Sequence, residues 1–163
     1  EFTVNIALIE NNKPVLGVIF IPAKSILYFA KQKYGSFKMN TKIELNNLNK
    51  AKKIVVTKQS SLVRIIGSRS HSNNKFINWV NEKFPNAKII QAGSSLKFCL
   101  IAEGDADIYP RFGPTSEWDI AAGHIILNEA GGKISTFKNS EINYNMKEDI
   151  LNPEFYAIGG IKL

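Results

Sequence analysis

The chain has 163 residues, 44% of them hydrophobic, and a formal net charge of +7 at pH 7. This size suits one globular domain or part of a larger protein, and no apolar run reaches the roughly 18 residues that a membrane-spanning helix needs. The basic excess would permit nucleic-acid binding, but only three of the 21 basic residues are arginines, and the lysines are spread along the whole chain. Without an arginine-rich arm, an RNA-recognition motif or a zinc knuckle, composition explains the charge better than nucleic-acid binding does.

The first third of the chain predicts an antiparallel β-meander, because short apolar segments, some of them alternating, are separated by turn residues. The predicted strands are FTVNIALI (2–9), VLGVIFI (15–21), ILYFAKQ (26–32) and a fourth that follows the turn at Gly35. Residues 41–53 are rich in Lys and Asn and predict a linking loop.

From about residue 54 onwards, strand and helix patterns alternate, which predicts a parallel or mixed sheet covered by helices. The predicted strands are KIVVT, VRIIGS, AKIIQA, ADIYP, KIST and FYAIGG, and the predicted helices are residues 73–84, 94–104 and 117–130. We therefore expect an α/β fold with two domains. Residues 1–53 would complete an antiparallel sheet, and residues 54–163 would form the α/β domain.

Three predicted strand-to-helix junctions are rich in Gly, Ser or Thr and lie beside charged residues. They are GSRSHSN (67–73), AGSSLK (92–97) and RFGPTSEWD (111–119). Such junctions meet at the carboxyl edge of a sheet, where helix N-termini bind anions. Serine and threonine are also ordinary helix caps, so each junction alone has a purely structural explanation. The cluster of basic residues beside them favours an anion site: Arg69, His71, Lys97 and Arg111.

Lys97 has both a chemical and a structural interpretation, whereas Cys99 and His124 are interpreted as structural. Lys97 falls in the first turn of its predicted helix, where a cation is unfavourable against the helix dipole. A bound anion would offset that cost, whereas the structural alternative is a surface lysine. The single cysteine, Cys99, excludes an intrachain disulfide, lies among apolar residues as a buried structural thiol would, and fits a reducing cytoplasm. His124 is interpreted as structural.

Asp119 has two roles that the sequence alone leaves open. Ser116 and Asp119 have the spacing of a capping box, in which both side chains serve the start of a helix. The three small residues that follow, Ala121, Ala122 and Gly123, are not explained by capping, since glycine disfavours a helix interior. They predict that another backbone or a crowded ligand site comes close to this helix. If Ser116 alone caps the helix, the Asp119 carboxylate is free to bind a metal ion.

Several motifs together resemble the Mg²⁺-dependent, lithium-sensitive phosphatases, and within them the CysQ-type 3′(2′),5′-bisphosphate nucleotidases. The segment WDIAAG (118–123), followed by a helix and GG, resembles the C-terminal signature of that superfamily. The further matching segments are SRSH (68–71), GSSLKFCLIAEGDADIYPRFGPT (93–115), LNPEF (151–155) and EFTVNIALI (1–9). The resemblance covers essentially the whole chain and implies the layered αβαβα sugar-phosphatase-like fold.

The resemblance also implies a function and a set of site residues. Asp119 would ligate Mg²⁺, and the substrate would be 3′-phosphoadenosine 5′-phosphate, converted to AMP and phosphate. The positions that match nucleotide- and phosphate-binding residues of the family are Ser68, His71, Gly93, Ser94, Lys97 and Arg111. The family's Asp-Pro-Leu-Asp-Gly-Thr segment and its associated Glu have no counterpart in this sequence. The metal site would therefore be incomplete, and the chain would correspond to a C-terminal half.

Alternatives to this interpretation stay within the same superfamily or outside catalysis. An inositol phosphate or another sugar phosphate could be the substrate, although SRSH with GSSLK favours a nucleotide. The chain could also be a split-gene remnant that binds a nucleotide or a partner without catalysis. We expect no nucleic-acid partner, a cytoplasmic location, and no membrane association beyond the membrane periphery. An exposed apolar face on the meander would permit self-association or pairing with a missing N-terminal half.

Overall fold

The computed structural model describes residues 2–44, 47–58, 62–68 and 74–163. Within these residues, the first sheet is an antiparallel meander in which each strand pairs with the next along the chain. Its strands are β1 (Val4–Glu10), β2 (Lys13–Ile21), β3 (Ile26–Lys31), β4 (Gly35–Asn40) and β5 (Lys52–Ile54). The predicted meander is therefore confirmed, with one strand more than the sequence pattern indicated.

The second sheet is mixed, as the alternating pattern predicted. Its strands are β6 (Arg64–Ser68), β7 (Lys88–Ala92), β8 (Ile108–Arg111), β9 (Lys133–Thr136) and β10 (Phe155–Ile158). They lie in the order β7-β6-β8-β10-β9. Strand β6 is parallel to both β7 and β8, whereas β10 is antiparallel to β8 and β9. The carboxyl ends of β6, β7 and β8 consequently share one edge of the sheet.

Helices fill the space between the two sheets and cover the far face of the second one. The described helices are α1 (Thr41–Glu44), α2 (Asn74–Lys83), α3 (Leu96–Ala102) and α4 (Glu117–Glu129), with short 3₁₀ turns at Pro22–Lys24 and Leu48–Lys50. Helices α3 and α4 share one buried core with both sheets, while α2 packs in a smaller cluster on the opposite face of the second sheet. The layers therefore run sheet, helix pair, sheet, helix, which confirms the α/β fold class.

Two sequence predictions about residues 41–54 are wrong. The segment 41–53 is not a plain loop, because it contains α1, a 3₁₀ turn and the start of β5. The segment KIVVT does not begin the second sheet, since Lys52–Ile54 pairs with β4 of the meander. A strand of three residues is too short to show a periodic pattern, so the sequence cannot indicate which sheet it joins. The division into domains at residues 53 and 54 stays a prediction.

Helix α4 and its neighbours lie so close together that two positions admit no side chain. A Cβ added to Gly123 would lie 2.4 Å from the Phe98 ring on α3. On the other side of α4, a Cβ added to Gly17 of β2 would lie 2.7 Å from the carbonyl oxygen of Ala122. Close packing thus explains Gly123 of WDIAAG, whose neighbour is the Phe98 side chain, whereas Ala121 and Ala122 line a cavity beside β1. Helix α4 contacts β1, β2, β3 and β4 and is the central element of the fold.

Substituting Gly123 with alanine tests this packing directly. We expect Gly123→Ala to lower the free energy of unfolding by about 1–3 kcal/mol, because α3 and α4 must separate to admit the new methyl group. The matched control is Gly113→Ala, whose added Cβ would meet its nearest atoms in Arg111 at 3.6 Å, an ordinary contact. Urea denaturation followed by circular dichroism measures both. Equal stability of the two variants would contradict the tight contact.

The outer face of β1 is apolar and exposed. Phe2, Val4, Ile6 and Leu8 alternate along the strand, and each exposes about half or more of its surface. Strand β1 is also an edge strand of its sheet. The exposed apolar face that the sequence predicted is thereby present. None of the described helices is both long and apolar enough to cross a membrane.

His124 and Cys99 are structural, as the sequence indicated. His124 is 6% exposed, and its Nδ1 shares a hydrogen bond of 2.8 Å with the Tyr144 hydroxyl. Burial lowers the pKa of His124 to about 4, with a smaller contribution from Lys13, and Glu141 opposes both. Cys99 is fully buried, and burial raises the pKa of its thiol well above its usual value. A buried, protonated thiol is a poor nucleophile.

The lowered pKa of His124 predicts a pH-dependent stability. Between pH 6.5 and about 4 the unfolded chain binds a proton at this residue that the folded chain does not. The free energy of unfolding should therefore fall as the pH drops through this window, by about 1 kcal/mol per pH unit at most. Urea denaturation at several pH values should show this slope in the parent chain and a smaller one in His124→Gln. An identical slope in both would contradict the assignment.

Candidate anion and metal site

Asp119 lies in the first turn of α4 and participates in the cap of that helix. Its Oδ2 accepts a hydrogen bond of 2.9 Å from the backbone N–H of Ser116, the N-cap residue. The prediction that Ser116 alone caps the helix and leaves the carboxylate free is therefore wrong in part. The second oxygen, Oδ1, has no hydrogen bond from any residue that the structure describes. Asp119 is exposed, so this oxygen remains accessible to a ligand.

The turn from Gly93 to Lys97 connects β7 to α3 and brings a buried cation to the site. Ser94 has a left-handed backbone with φ of 52°, which costs a residue with a side chain some energy. Lys97 is 7% exposed, and its ammonium donates to the carbonyl of Ser94 at 2.9 Å. The same ammonium lies 5.2 Å over the ring of Tyr109. Lys97 is therefore not a surface lysine, and these contacts partly offset its position against the helix dipole.

Tyr109 and Arg111 connect this turn to Asp119. Burial raises the pKa of Tyr109 to about 12, the nearby Arg111 guanidinium opposes the shift, and Asp119 adds to it. Tyr109 is consequently a neutral hydrogen-bonding group at physiological pH. Arg111 donates from Nε to the carbonyl of Gly113 at 3.1 Å and from Nη2 to that of Pro114 at 2.8 Å. These two bonds fix the guanidinium plane before any ligand binds, so less entropy is lost when an anion arrives.

Strand β1 contributes a second set of polar contacts. Thr3 Oγ1 lies 2.6 Å from Ser94 Oγ, and Asn5 Nδ2 donates to Ser95 Oγ at 2.9 Å. Ser95 Oγ in turn donates to the backbone carbonyl of Asp119 at 2.9 Å. The start of β1, the Gly93–Lys97 turn and the first turn of α4 are thus joined by side-chain hydrogen bonds.

The structure brings five of the seven predicted site residues together: Gly93, Ser94, Lys97, Arg111 and Asp119. The backbone of Ser68 ends β6 and pairs with Ala92, next to the Gly93 turn, but its side chain lies outside the described part. His71 and its neighbour Arg69 also lie outside the described residues. The binding roles of all seven stay predictions.

Sequence reasoning missed Tyr109, Ser95 and Asn5. Asn5 carried a signal, since it is a large polar residue within an alternating apolar strand. That signal could not be used, because the sequence does not say which face of β1 points inward. Ser95 was overlooked beside Ser94, and Tyr109 was counted as a strand residue of ADIYP. Its ring is in the core, whereas its hydroxyl is beside charged groups, and a sequence pattern cannot separate the two ends of one side chain.

The residues that the structure describes do not form a complete site for a divalent metal ion. No group of three or more His, Cys, Asp or Glu side chains within the described ranges is placed to hold a metal ion. Mg²⁺ prefers six oxygen ligands and usually takes one or two carboxylates together with water and phosphate oxygens. Asp119 supplies one such carboxylate, with one oxygen already used in the helix cap. This donor set does not fit a resident Mg²⁺ site by itself.

Comparison with known proteins assigns the chain to a family. A model of the inositol monophosphatase family matches residues 1–158. The match includes both sheets, the Gly93–Lys97 turn and the start of α4. The chain therefore belongs to the inositol monophosphatase family.

Within that family, the chain resembles the 3′(2′),5′-bisphosphate nucleotidases named CysQ. It is 43% identical to the protein of Buchnera aphidicola over 166 residues and 41% identical to that of Salmonella typhimurium over 155 residues. These matches cover 96% and 95% of this chain but 57% and 59% of the relatives. The crystal structure of CysQ from Bacteroides thetaiotaomicron is 38% identical, with a TM-score of 0.88, over 98% of this chain and 63% of that chain. The chain thus spans less than two thirds of the length of these relatives.

Two substitutions separate the capping role of Asp119 from its charge. We expect Asp119→Ala to lower the free energy of unfolding by about 1 kcal/mol, because the N–H of Ser116 loses its acceptor. Asp119→Asn keeps an acceptor oxygen and should stay within about 0.5 kcal/mol of the parent chain. Thermal denaturation of the three proteins at pH 7 provides the comparison. A similar loss in both variants would show that charge, not the hydrogen bond, matters for stability.

Proposed function

We propose that this chain forms the nucleotide-binding part of a 3′(2′),5′-bisphosphate nucleotidase. The reaction removes the 3′-phosphate of 3′-phosphoadenosine 5′-phosphate and gives AMP and phosphate. Family membership supports the class of reaction, and the CysQ relatives support the nucleotide as substrate. The single buried cysteine is in keeping with a reducing, cytoplasmic location.

The observation that carries the proposal is the buried Lys97, whose ammonium lies over the ring of Tyr109, while Arg111 and Asp119 act on the hydroxyl of the same tyrosine. A lysine that is 7% exposed is unusual in a protein interior, and here the Ser94 carbonyl and the Tyr109 ring hold its ammonium in place. A phosphate group would gain a charge-assisted contact with this ordered cation and would take a second set of hydrogen bonds from the preorganised Arg111. In this proposal, Lys97 and Arg111 bind the non-reacting phosphate, while Ser68, His71, Gly93 and Ser94 line the nucleotide pocket.

Turnover requires more carboxylates than this part of the protein supplies. Relatives of the family depend on metal ions, and Mg²⁺ is the ion we propose. When bound, such an ion supplies Lewis-acid stabilisation of the phosphate oxygens. Asp119 would be one ligand, with the remaining ligands outside the described residues. The contribution of this chain is therefore to bind and orient the nucleotide beside one carboxylate.

Because this chain supplies only one carboxylate for the metal ion, we predict that the purified chain lacks phosphatase activity. With 3′-phosphoadenosine 5′-phosphate and millimolar Mg²⁺, we expect phosphate release no faster than in protein-free buffer, because Asp119 alone cannot hold the ion. A malachite-green assay measures the released phosphate, and inositol 1-phosphate is tested in parallel as the alternative substrate. Mg²⁺-dependent release above background from either substrate would contradict the prediction, and the faster substrate would identify the specificity.

Nucleotide binding should persist without turnover and should depend on Lys97. Isothermal titration calorimetry with 3′-phosphoadenosine 5′-phosphate should give a dissociation constant about tenfold or more higher for Lys97→Met, since a charged hydrogen-bonding group is lost. The control is Lys52→Met, which removes an exposed lysine from β5. Equal affinities for Lys97→Met and the parent chain would overturn the phosphate-binding role. Tighter binding of inositol 1-phosphate than of the nucleotide would favour the sugar-phosphate alternative.

A further inference from the structure

We propose that Asn5 and Ser95 form a positioning relay that sets the place of Asp119 relative to the Gly93–Lys97 turn. The inference rests on the proposed function, because it concerns what fixes the position of the Asp119 carboxylate relative to the phosphate-binding turn. The relay consists of two hydrogen bonds of 2.9 Å each, from Asn5 Nδ2 to Ser95 Oγ and from Ser95 Oγ to the Asp119 carbonyl.

The direction of the relay follows from the chemistry of its three groups. A backbone carbonyl can only accept, so the single hydrogen of the Ser95 hydroxyl points to Asp119. The Ser95 oxygen is then left as an acceptor and requires a donor on its other side. The amide of Asn5 supplies that donor with its NH₂ group, and the reverse orientation would place two acceptors against each other. The relay therefore has one consistent arrangement.

The Ser95 hydroxyl does not cap the helix that Ser95 begins. Ser95 is the N-cap residue of α3, where a serine side chain normally accepts a backbone N–H of its own helix. Its side chain makes no such bond. It is 4% exposed and points instead to Asp119 on the neighbouring helix. Ser95 thus gives up the stabilisation of α3 and connects α3 to the first turn of α4.

Packing alone does not explain why residue 5 is an asparagine. Its Oδ1 is buried and has no hydrogen-bond partner among the described residues. A buried acceptor without a partner costs stability, whereas an apolar side chain of similar volume would not. The contact that explains the amide is the bond from its other end to Ser95. Thr3, which directly precedes β1, shares a hydrogen bond of 2.6 Å with the hydroxyl of Ser94.

The relay acts on the site through the backbone. Ser94, which precedes Ser95, holds the Lys97 ammonium with its carbonyl, and Asp119 carries both the bonded carbonyl and the carboxylate. A shift of Ser95 would therefore change the separation between the cation and the carboxylate. Neither Asn5 nor Ser95 needs to touch the substrate, so both are positioning residues.

The test compares four variants of the full chain: Asn5→Leu, Ser95→Ala, Ser95→Thr and Ser36→Ala. Ser36 is the matched control, because its hydroxyl is buried in β4 and has no hydrogen-bond partner in the described part of the chain. Two properties are measured for each variant. Calorimetry gives the dissociation constant for 3′-phosphoadenosine 5′-phosphate, and ¹⁵N–¹H spectra without ligand report on the turn and on the start of α4. Thermal denaturation confirms folding.

We expect Ser95→Ala and Asn5→Leu to weaken nucleotide binding about tenfold, the usual scale for a lost supporting hydrogen bond at a site. Asn5→Leu should do so with little change in the melting temperature, because it removes the unpaired Asn5 Oδ1 but leaves the Ser95 oxygen without its donor. Ser95→Thr keeps the hydroxyl and should restore most of the affinity, and Ser36→Ala should leave it unchanged. In the spectra, both relay variants should shift amide signals in residues 93–97 and in residues 117–120 together.

The relay is overturned if Ser95→Ala or Asn5→Leu binds the nucleotide as tightly as Ser36→Ala does. If the parent chain binds no nucleotide, the proposed function fails, and the ligand-free spectra decide the relay alone. Joint shifts in the turn and in α4 would support it, whereas shifts confined to one of the two elements would overturn it. If Ser95→Ala does not fold, Asn5→Leu carries both measurements.

Discussion

The close contact of α4 with β2 on one side and α3 on the other is the constraint on which the rest of this structure depends. Gly17 and Gly123 leave no room for a side chain, so the backbone of β2 lies directly against the backbone of α4 and the Phe98 ring of α3 packs on the backbone of Gly123. This proximity lets one helix serve the core of both sheets. It also brings the first turns of α3 and α4 within hydrogen-bonding distance of each other, which a bulkier interface would prevent. The site geometry is therefore a consequence of small residues that have no chemistry of their own.

Electrostatics at the site follow from this geometry. Lys97 is buried because α3 is held against β8 and α4, and its ammonium is stabilised by a carbonyl and by the face of Tyr109. Arg111 is oriented by two carbonyls of its own loop. Both cations are thus fixed before a ligand arrives, and binding an anion requires little rearrangement. A net positive charge on the whole chain adds long-range attraction for such an anion.

The sequence predicted most elements and the approximate place of the site, but it could not predict side-chain direction. Helical spacing of apolar residues identified α2, the capping-box spacing and the closing Gly131–Gly132 identified α4, and turn residues separated the strands of the meander. Strand β1 shows the limit. Its most apolar residues, Val4, Ile6 and Leu8, face outward, whereas Asn5 and Ala7 face α4. Hydrophobic alternation reveals two faces without saying which one is covered. For Asp119 the sequence likewise left a cap role and a ligand role open, and the structure places one of its two oxygens in the helix cap.

The central position of α4 has a consequence for how the protein folds. The meander of β1 to β4 is built from contacts between neighbours in sequence and can form early, but its inner face is covered by a helix that begins at Glu117. Docking α4 on β2 closes a loop of roughly a hundred residues, and contacts of such separation are formed slowly. During synthesis the inner face of the meander stays exposed until α4 has left the ribosome. In this interval we expect the exposed apolar face to make the chain prone to aggregation, and slower translation of the segment before Glu117 would lengthen the exposure.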